Sequence, residues 1–247
     1  RTAQNLSAVN SINWARVLVQ IVYYVVAAVR LGAPQRPVSF AVPTGNFGNI
    51  LAGWAAWKCG LPIDRLVIGT NSNDILTRFF ETGTLAMGDV HQSISPSMDI
   101  QVSSNFERFM FDLYGRDGAA LSTAMAEFRK DGTLSVGDNL HRSARETISA
   151  GRLNDTETMV EMKRQLTSTG ELIDPHTAIG IAAGRAQMRQ GGAPVIAQAA
   201  AHPAKFPDAV EMATGVRPEL PPHLADLLDR PEHFDVLPND LGVIQAH

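Results

Sequence analysis

Residues 42–49, with the sequence Val-Pro-Thr-Gly-Asn-Phe-Gly-Asn, combine residue types that could hold an anion. Gly45 and Gly48 lack a Cβ atom, so the backbone there can adopt positive φ and approach a ligand closely. Asn46 and Asn49 add side-chain amides that can donate hydrogen bonds. If a strand precedes this loop and a helix follows it, backbone N–H groups and the positive end of the helix dipole converge there. The segment therefore predicts a phosphate-binding loop.

Two widespread phosphate-binding motifs do not occur at this position. No Gly-Lys-Ser or Gly-Lys-Thr follows, as a P-loop requires, and the G-x-G-x-x-G pattern of dinucleotide-binding folds is missing. The next predicted strand also does not end in an acidic residue. A Gly-x-x-Gly turn is equally compatible with a tight turn that binds nothing, so the loop by itself leaves both interpretations open.

The residues around the loop predict the elements that it needs. Residues 38–42 form a short apolar run between prolines, typical of a buried strand, and residues 50–59 are helix-like. Further predicted elements are strands at residues 66–70 and 193–198 and helices at residues 7–30, 75–81, 104–114, 178–189, 203–213 and 224–228. This alternation predicts an α/β fold with a layered, mostly parallel sheet flanked by helices.

Changes in composition along the chain predict four segments. These are part of an α/β domain at residues 1–104, a helical insertion at residues 105–170, the continued α/β domain at residues 171–215 and a proline-rich tail at residues 216–247. The insertion is predicted because strand signals are few and charges are many. Ser104 and Glu107 have the spacing of a capping box, which predicts the start of its first helix.

The long predicted helix at residues 7–30 carries a polar stripe. Asn13, Arg16, Gln20 and Tyr24 recur every three or four residues, which places them on one face of an otherwise apolar helix. The stripe is either the partly exposed edge of a core helix or a surface that faces an active-site cleft. The spacing alone does not choose between these alternatives.

Composition and charge disfavour several classes of function. The 247 residues are 45% hydrophobic and carry a formal charge of −4, so the chain as a whole is not attracted to nucleic acid or anionic lipid. The single cysteine, Cys59, predicts neither an internal disulfide nor a thiolate metal site and favours a cytoplasmic protein. The longest apolar stretch, residues 17–29, is too short to span a bilayer. Since Arg1 begins the sequence and no signal peptide follows, we expect the chain to start within a longer protein.

Six segments together resemble one enzyme family. They are residues 9–16 (VNSINWAR), 42–49 (VPTGNFGN), 71–76 (NSNDIL), 96–100 (PSMDI) with 103–108 (SSNFER), 174–178 (DPHTA) and 202–206 (HPAKF). In these residues and in their order, the chain resembles threonine synthase, and most of all the longer form found in fungi and many Gram-negative bacteria. The resemblance extends over nearly the whole chain to about Gly215.

The resemblance implies a fold, a reaction and a cofactor. The implied fold is that of tryptophan synthase β, fold type II of the pyridoxal 5'-phosphate (PLP) enzymes, with a helical insertion. The implied reaction converts O-phospho-L-homoserine and water to L-threonine and phosphate, with PLP as the electron sink. A site of this kind must hold two phosphates, one on the cofactor and one on the substrate.

Two sets of residues are candidates for those phosphates. By resemblance, the cofactor phosphate is held by Gly45, Asn46, Phe47, Gly48 and Asn49. Ser104, Asn105 and Arg108 are chemically suited to the substrate phosphate and lie together in a matched segment. The alternative is that Ser104 caps a helix and Arg108 pairs with a surface acid.

The chain departs from the family pattern in two respects. The family's Schiff-base lysine lies in a Phe-Lys-Asp context, and none of the four lysines here, Lys58, Lys130, Lys163 and Lys205, has that context. We therefore predict that this chain contains no catalytic lysine, is inactive alone and needs the N-terminal half of the same protein as its partner. Ala200 stands where the family has a threonine that contacts the pyridine nitrogen.

Two other functions remain open. The chain could be a catalytically dead relative that binds the cofactor or another anion, or a fold type II enzyme that acts on another amino acid such as serine or threonine. His176 and His202 each lie beside a proline at a helix start, which favours packing or capping roles, and the seven scattered histidines predict no metal site. We also expect the isolated chain to expose apolar surface and to associate.

Overall fold

The computed structural model describes residues 10–188, 190 and 192–247. The predicted helix start at Ser7, the motif start at Val9 and the predicted helix end at Arg189 lie outside the described residues. Strands are β1 (Val38–Pro43), β2 (Ile63–Thr70), β3 (Thr84–Ala86), β4 (Thr133–Ser135), β5 (Ile148–Arg152) and β6 (Val195–Ala197). Helices are α1 (Trp14–Arg30), α2 (Gly48–Lys58), α3 (Ile75–Thr82), α4 (Phe106–Leu113), α5 (Gly118–Asp131), α6 (Asp138–Thr147), α7 (Asp155–Thr169), α8 (Pro175–Gln187), α9 (Pro207–Thr214) and α10 (Leu241–Ala246). Single 3-10 turns occupy Pro96–Met98, Pro203–Lys205, Pro222–Leu224 and Leu227–Asp229.

Four strands form a parallel sheet in the order β5-β2-β1-β6. The central strand β1 pairs with both neighbours, so that Ala41 lies opposite Val67 of β2 and Ala197 of β6. All four strands end at the same edge, and the loops after β1 and β6 leave it side by side. In parallel α/β sheets, ligands bind at this carboxyl edge, where successive connections diverge. The predicted α/β fold with a parallel sheet flanked by helices is confirmed.

Side chains alternate along β1 between two helical layers, as the period of a strand requires. Phe40 and Val42 belong to the large core that includes residues of α1 and α2, whereas Ala41 packs on the opposite face against Ala183 of α8. Strands covered on both faces read as continuous apolar runs, which is the pattern of residues 38–42.

Helix α8 packs close to the sheet because two of its residues have no side chain. A Cβ atom added to Gly180 would lie 2.8 Å from the Pro43 Cδ atom, and one added to Gly184 would lie 2.6 Å from the Ala41 Cβ atom. The prediction that this glycine- and alanine-rich helix lies close to a sheet is confirmed. The same contact holds α8 next to the end of β1, where the loop at residues 42–49 begins.

The structure differs from the predicted elements in several places. Strand β5 lies inside the segment predicted as a helical insertion and pairs with β2, so that segment contributes an edge strand to the main sheet. The predicted capping box is wrong, because α4 begins at Phe106 without a side-chain cap and the Ser104 hydroxyl donates to Asn46 instead. In the tail, the predicted helix at residues 224–228 is wrong, because 3-10 turns end at Leu224 and begin at Leu227, and an α-helix forms only later, as α10. The four-segment domain division stays a prediction.

Within the described ranges, no helix combines the length and apolar character that crossing a membrane requires.

Candidate functional site

The loop between β1 and α2 presents a row of unpaired backbone donors. Among the described residues, no acceptor is bonded to the backbone N–H groups of residues 45–49. Phe47 has φ of 60°, a left-handed conformation that turns the chain into the first turn of α2, and its buried ring packs against Phe106 and Phe109. Free N–H groups at a helix N-terminus, together with the helix dipole, favour an anion. The Phe47 side chain therefore anchors the loop, and its backbone faces the site.

The two glycines of the loop differ in what they allow, although neither adopts the positive φ that is open to glycine. A Cβ atom on Gly45 would lie 2.7 Å from the Ser97 carbonyl oxygen, which is closer than atoms can pack. A Cβ atom on Gly48 would stand 3.6 Å from the Ser11 carbonyl oxygen and 3.9 Å from Gln20 Oε1. Gly45 thus lets the chain pass Ser97, and Gly48 leaves space in front of the helix N-terminus.

A cavity of about 260 Å³ lies against this loop. It is lined by Ser11, Arg16, Gln20, Ser97 and residues 43–50. Arg16 and Gln20 belong to the polar stripe of α1, so two residues of that stripe line a cavity, while the interpretation of this cavity as an active-site cleft stays a prediction. Arg16 thus brings a positively charged residue to the wall of the same cavity, and a guanidinium is well suited to an anion. No lysine occurs among the described residues that line the cavity.

Tyr24, the last residue of the polar stripe, is hydrogen-bonded to Asn49 at the end of the loop. Its hydroxyl donates to the Asn49 carbonyl oxygen at 2.8 Å and to Asn49 Oδ1 at 3.0 Å. Burial raises the pKa of the Tyr24 phenol far above its ordinary value, so the hydroxyl keeps its proton and acts as a donor. The Asn49 amide is consequently held at the first turn of α2.

Changing Tyr24 to phenylalanine is expected to lower the free energy of unfolding by about 1–2 kcal/mol, because two acceptors of Asn49 lose their donor. The matched control is Tyr23→Phe, since Tyr23 is half exposed and has no hydrogen bond among the described residues. Urea unfolding of both variants gives the difference. Equal stabilities would show that the hydroxyl of Tyr24 contributes nothing.

The predicted substrate-binding residues lie beside the loop and are partly engaged in holding it. Asn105 Nδ2 donates to the Asn46 carbonyl oxygen and to the Ser11 carbonyl oxygen, both at 2.9 Å. The Ser104 hydroxyl reaches Asn46 Oδ1 at 3.3 Å. These bonds connect the start of α4 to the loop and to the chain before α1.

The hydrogen bonds of Arg108 go to uncharged groups. Its guanidinium donates to Asn105 Oδ1 at 2.6 Å and to the Ile12 carbonyl oxygen at 2.7 Å, and it lies over the ring of Trp14. The described residues form no ion pair with Arg108, so the alternative of a surface salt bridge is wrong. A role for Ser104, Asn105 and Arg108 in holding a substrate phosphate stays a prediction.

A second polar cluster lies behind the cavity at the start of α8. The buried Asp174 carboxylate caps this helix and accepts from His176 Nδ1 at 2.8 Å, from the Thr177 hydroxyl and from the Ala201 N–H. Burial raises the pKa of Asp174, but hydrogen bonds from His176 and Thr177 lower it more, so its pKa lies below the ordinary value. His176 also packs on Phe206, as expected for a packing role.

Sequence reasoning missed the contact between His176 and Ser97. His176 Nε2 accepts from the Ser97 N–H at 3.3 Å, although 79 positions separate the two residues. Both residues lie in segments that match the family, which was the only available signal.

Three of the four lysines, and Ala200, make contacts outside the cavity at the loop. Lys205 is exposed and its amine stands over the Phe206 ring, Lys58 pairs with Asp112, and Lys163 donates to the Thr214 carbonyl oxygen. The Ala200 N–H donates to the Thr177 hydroxyl at 2.9 Å. The loop after β6 is thereby connected to the Asp174 cluster.

Comparison with known proteins places these features in one family of enzymes. A family model described as "Threonine synthase, C-terminal" matches residues 177–247. The threonine synthase of Pseudomonas aeruginosa is 50% identical over 242 residues, which cover 98% of this chain and 52% of that protein. The threonine synthase of Corynebacterium glutamicum is 40% identical over 249 residues, with 98% and 52% covered. This chain thus spans about half the length of these relatives.

Solved structures give the same result. The crystal structure of PLP-bound threonine synthase from Brucella melitensis superposes with a TM-score of 0.93 at 49% identity, covering 99% of this chain and 53% of that chain. Yeast threonine synthase superposes with a TM-score of 0.84 at 35% identity, covering 92% of this chain and 50% of that one. The fold that this chain shares with the Brucella melitensis structure therefore extends over nearly all of its residues.

Proposed function

Because this chain belongs to the threonine synthase family, we propose that it forms the phosphate-holding part of a PLP-dependent lyase. The reaction converts O-phospho-L-homoserine and water to L-threonine and phosphate. The observation that carries the proposal is the row of free N–H groups at residues 45–49, aimed from the start of α2 at a cavity with Arg16 in its wall. The composition and the single cysteine support a cytoplasmic location for this reaction.

The residues of the loop fit the phosphate of PLP. Gly48 leaves open the space that a Cβ atom would fill between Asn105, Ser11 and Gln20, and the N–H groups around it are unpaired. A phosphate at this place accepts several backbone hydrogen bonds and lies at the positive end of the α2 dipole. When bound, PLP supplies an electron-withdrawing ring next to the substrate amine.

The chain's own residues bind and orient the phosphate. Gly45, Asn46, Phe47, Gly48 and Asn49 supply the N–H donors, and Arg16 supplies the opposite charge. Tyr24 and Asn105 contact the loop from two sides and keep its donors pointing at one place. Preorganised donors of this kind bind an anion without paying for reorganisation when it arrives.

The amine that the reaction needs is proposed to come from a segment other than these 247 residues. No lysine among the described residues lines the cavity, and Lys58, Lys163 and Lys205 are directed to other partners. The relatives are about twice as long as this chain, so they contain further polypeptide that can supply a Schiff-base lysine.

The outer face of α1 is proposed to bind that further polypeptide. It is an exposed apolar surface made of Leu18, Val19, Val22, Tyr23, Val26 and Val29. Contiguous apolar surface of this kind marks an interaction site. The same helix carries Arg16 and Gln20 into the cavity wall, so a segment that covers α1 lies beside the phosphate site.

Activity measurements with added polypeptide test the proposal. The half of the Pseudomonas aeruginosa threonine synthase that this chain does not match is fused ahead of it, and phosphate release from O-phospho-L-homoserine is assayed in the presence of PLP. We expect release by the fusion, no release by the chain alone, and less self-association of the fusion in sedimentation velocity. Replacing the lysine of the added Phe-Lys-Asp segment is expected to abolish release, whereas Lys205→Ala leaves it unchanged.

The other outcomes favour the competing functions. A folded fusion that binds PLP but releases no phosphate would favour a catalytically dead relative, for which Ala200 is the motivating residue. Turnover of serine or threonine without turnover of O-phospho-L-homoserine would favour another fold type II activity. Phosphate release by the chain alone would contradict the proposal that the Schiff-base lysine comes from another segment.

A further inference from the structure

The Asp174 cluster is hydrogen-bonded both to the loop after β6 and, through His176, to a residue of the cavity wall. Five hydrogen bonds converge on the buried Asp174 carboxylate, two of them from His176. His176 reaches from the start of α8 to the 3-10 turn Pro96–Met98, where it contacts Ser97. The cluster therefore connects α8 to a segment that lines the cavity.

The hydrogen bonds around His176 determine which ring nitrogen carries the proton. The Asp174 carboxylate is an acceptor, so the facing Nδ1 of His176 must carry a proton. The Ser97 N–H points at Nε2, so that nitrogen must present its lone pair. The ring is consequently a neutral imidazole with its proton on Nδ1, and Asp174 stabilises this tautomer.

Ser97 is in position to take part in binding. It lines the cavity together with the loop, and its carbonyl oxygen packs against Gly45. Ser97 is exposed, and its hydroxyl makes no hydrogen bond to any residue that the structure describes. A serine hydroxyl beside unpaired backbone N–H groups is a further donor for a phosphate oxygen.

We propose that Ser97 is an additional phosphate-binding residue and that His176, oriented by Asp174, is the positioning residue that holds Ser97 at the loop. This inference rests on the proposed function, since it concerns the same phosphate site. It assigns a binding role to a segment outside the glycine loop and a positioning role to a histidine that touches no ligand.

Two substitutions of His176 separate positioning from general stability. His176→Gln can keep an acceptor near the position of Nε2 and so keep the bond to the Ser97 N–H. His176→Asn can keep a donor near the position of Nδ1 and so keep the bond to Asp174. Each variant removes one hydrogen bond, so comparable losses of stability are expected in urea unfolding.

Calorimetric titration with inorganic phosphate measures the effect on the site. We expect Ser97→Ala and His176→Asn each to weaken phosphate binding about tenfold, because a hydrogen bond to a charged group is lost or misplaced. His176→Gln is expected to bind within about twofold of the unaltered chain, because the Ser97 segment stays in place. Amide hydrogen exchange at Ser97 should be slow in the unaltered chain and in His176→Gln and fast in His176→Asn.

A different result would overturn each part of the proposal. Equal weakening by His176→Asn and His176→Gln, with equal exchange at Ser97, would overturn the positioning role. Unchanged binding by Ser97→Ala would overturn the binding role of Ser97. If the unaltered chain is folded but binds no phosphate, the proposed function fails as well. Amide exchange at Ser97 does not depend on phosphate, so it still shows whether His176 holds the Ser97 segment in place.

Discussion

Replacing Asp174 by alanine is expected to lower the free energy of unfolding by about 3–5 kcal/mol. The carboxylate is fully buried and accepts from three backbone N–H groups, from His176 Nδ1 and from the Thr177 hydroxyl. Removing it leaves these buried donors without an acceptor and uncaps α8. Urea unfolding measures the loss, and Asp89→Asn, a change at an exposed carboxylate, is the control for removal of a charge.

The same residue predicts how stability depends on pH. The pKa of Asp174 is lower in the folded chain than its ordinary value, so the unfolded chain binds the proton more tightly. The stabilisation is therefore present above the unfolded pKa of about 3.9 and is lost as the pH falls through the lower, folded pKa. Asp174→Asn should flatten this acid limb, whereas Asp89→Asn should leave it unchanged. A stability of Asp174→Ala close to that of the unaltered chain would contradict the role of this carboxylate.

Replacing Gly45 by alanine is expected to have the largest effect on the phosphate site. The new Cβ atom would lie 2.7 Å from the Ser97 carbonyl oxygen and 3.4 Å from the Met98 Cα atom, so backbone has to move. We expect phosphate binding to weaken by about 100-fold, because the shift of the backbone turns several N–H donors away from the position that the phosphate occupies. Overpacking should also lower the free energy of unfolding by about 1–3 kcal/mol.

A glycine in open space provides the control for Gly45. A Cβ atom on Gly137 would meet no atom within 4 Å, and this residue has no positive φ, so Gly137→Ala should change neither stability nor phosphate binding. Calorimetric titration with inorganic phosphate gives both affinities. Equal affinities of Gly45→Ala and Gly137→Ala would mean that the loop does not hold the anion.

The parts of the site that the sequence predicted are those encoded by neighbouring residues. The apolar run of β1, the glycine loop and α2 follow one another directly, so a local pattern was sufficient to predict a phosphate loop there. The four-residue spacing of Arg16 and Gln20 predicted a shared helical face, but only the packing of α1 on α2 shows that this face meets the cavity.

The parts that were missed depend on contacts between distant residues. Ser97 and His176 meet only because α8 packs against the end of β1. Strand β5 was read as part of a helical segment because its five residues include alanine and glycine, and its pairing with β2 overrides that weak propensity. The alternative of a surface salt bridge at Arg108 failed for the same reason, because its guanidinium donates to the Ile12 carbonyl oxygen, 96 positions away, as well as to the nearby Asn105 amide.

The most direct test of the central claim is to record the backbone amide signals of the chain while inorganic phosphate is added. If the loop after β1 holds the phosphate, the amides of residues 45–49 shift together and saturate with one dissociation constant, and the Ser97 amide shifts with them. Pyridoxal 5'-phosphate should perturb the same amides, whereas pyridoxal without a phosphate should not. Shifts confined to other parts of the chain, or equal shifts with pyridoxal, would contradict the assignment of this loop as the phosphate site.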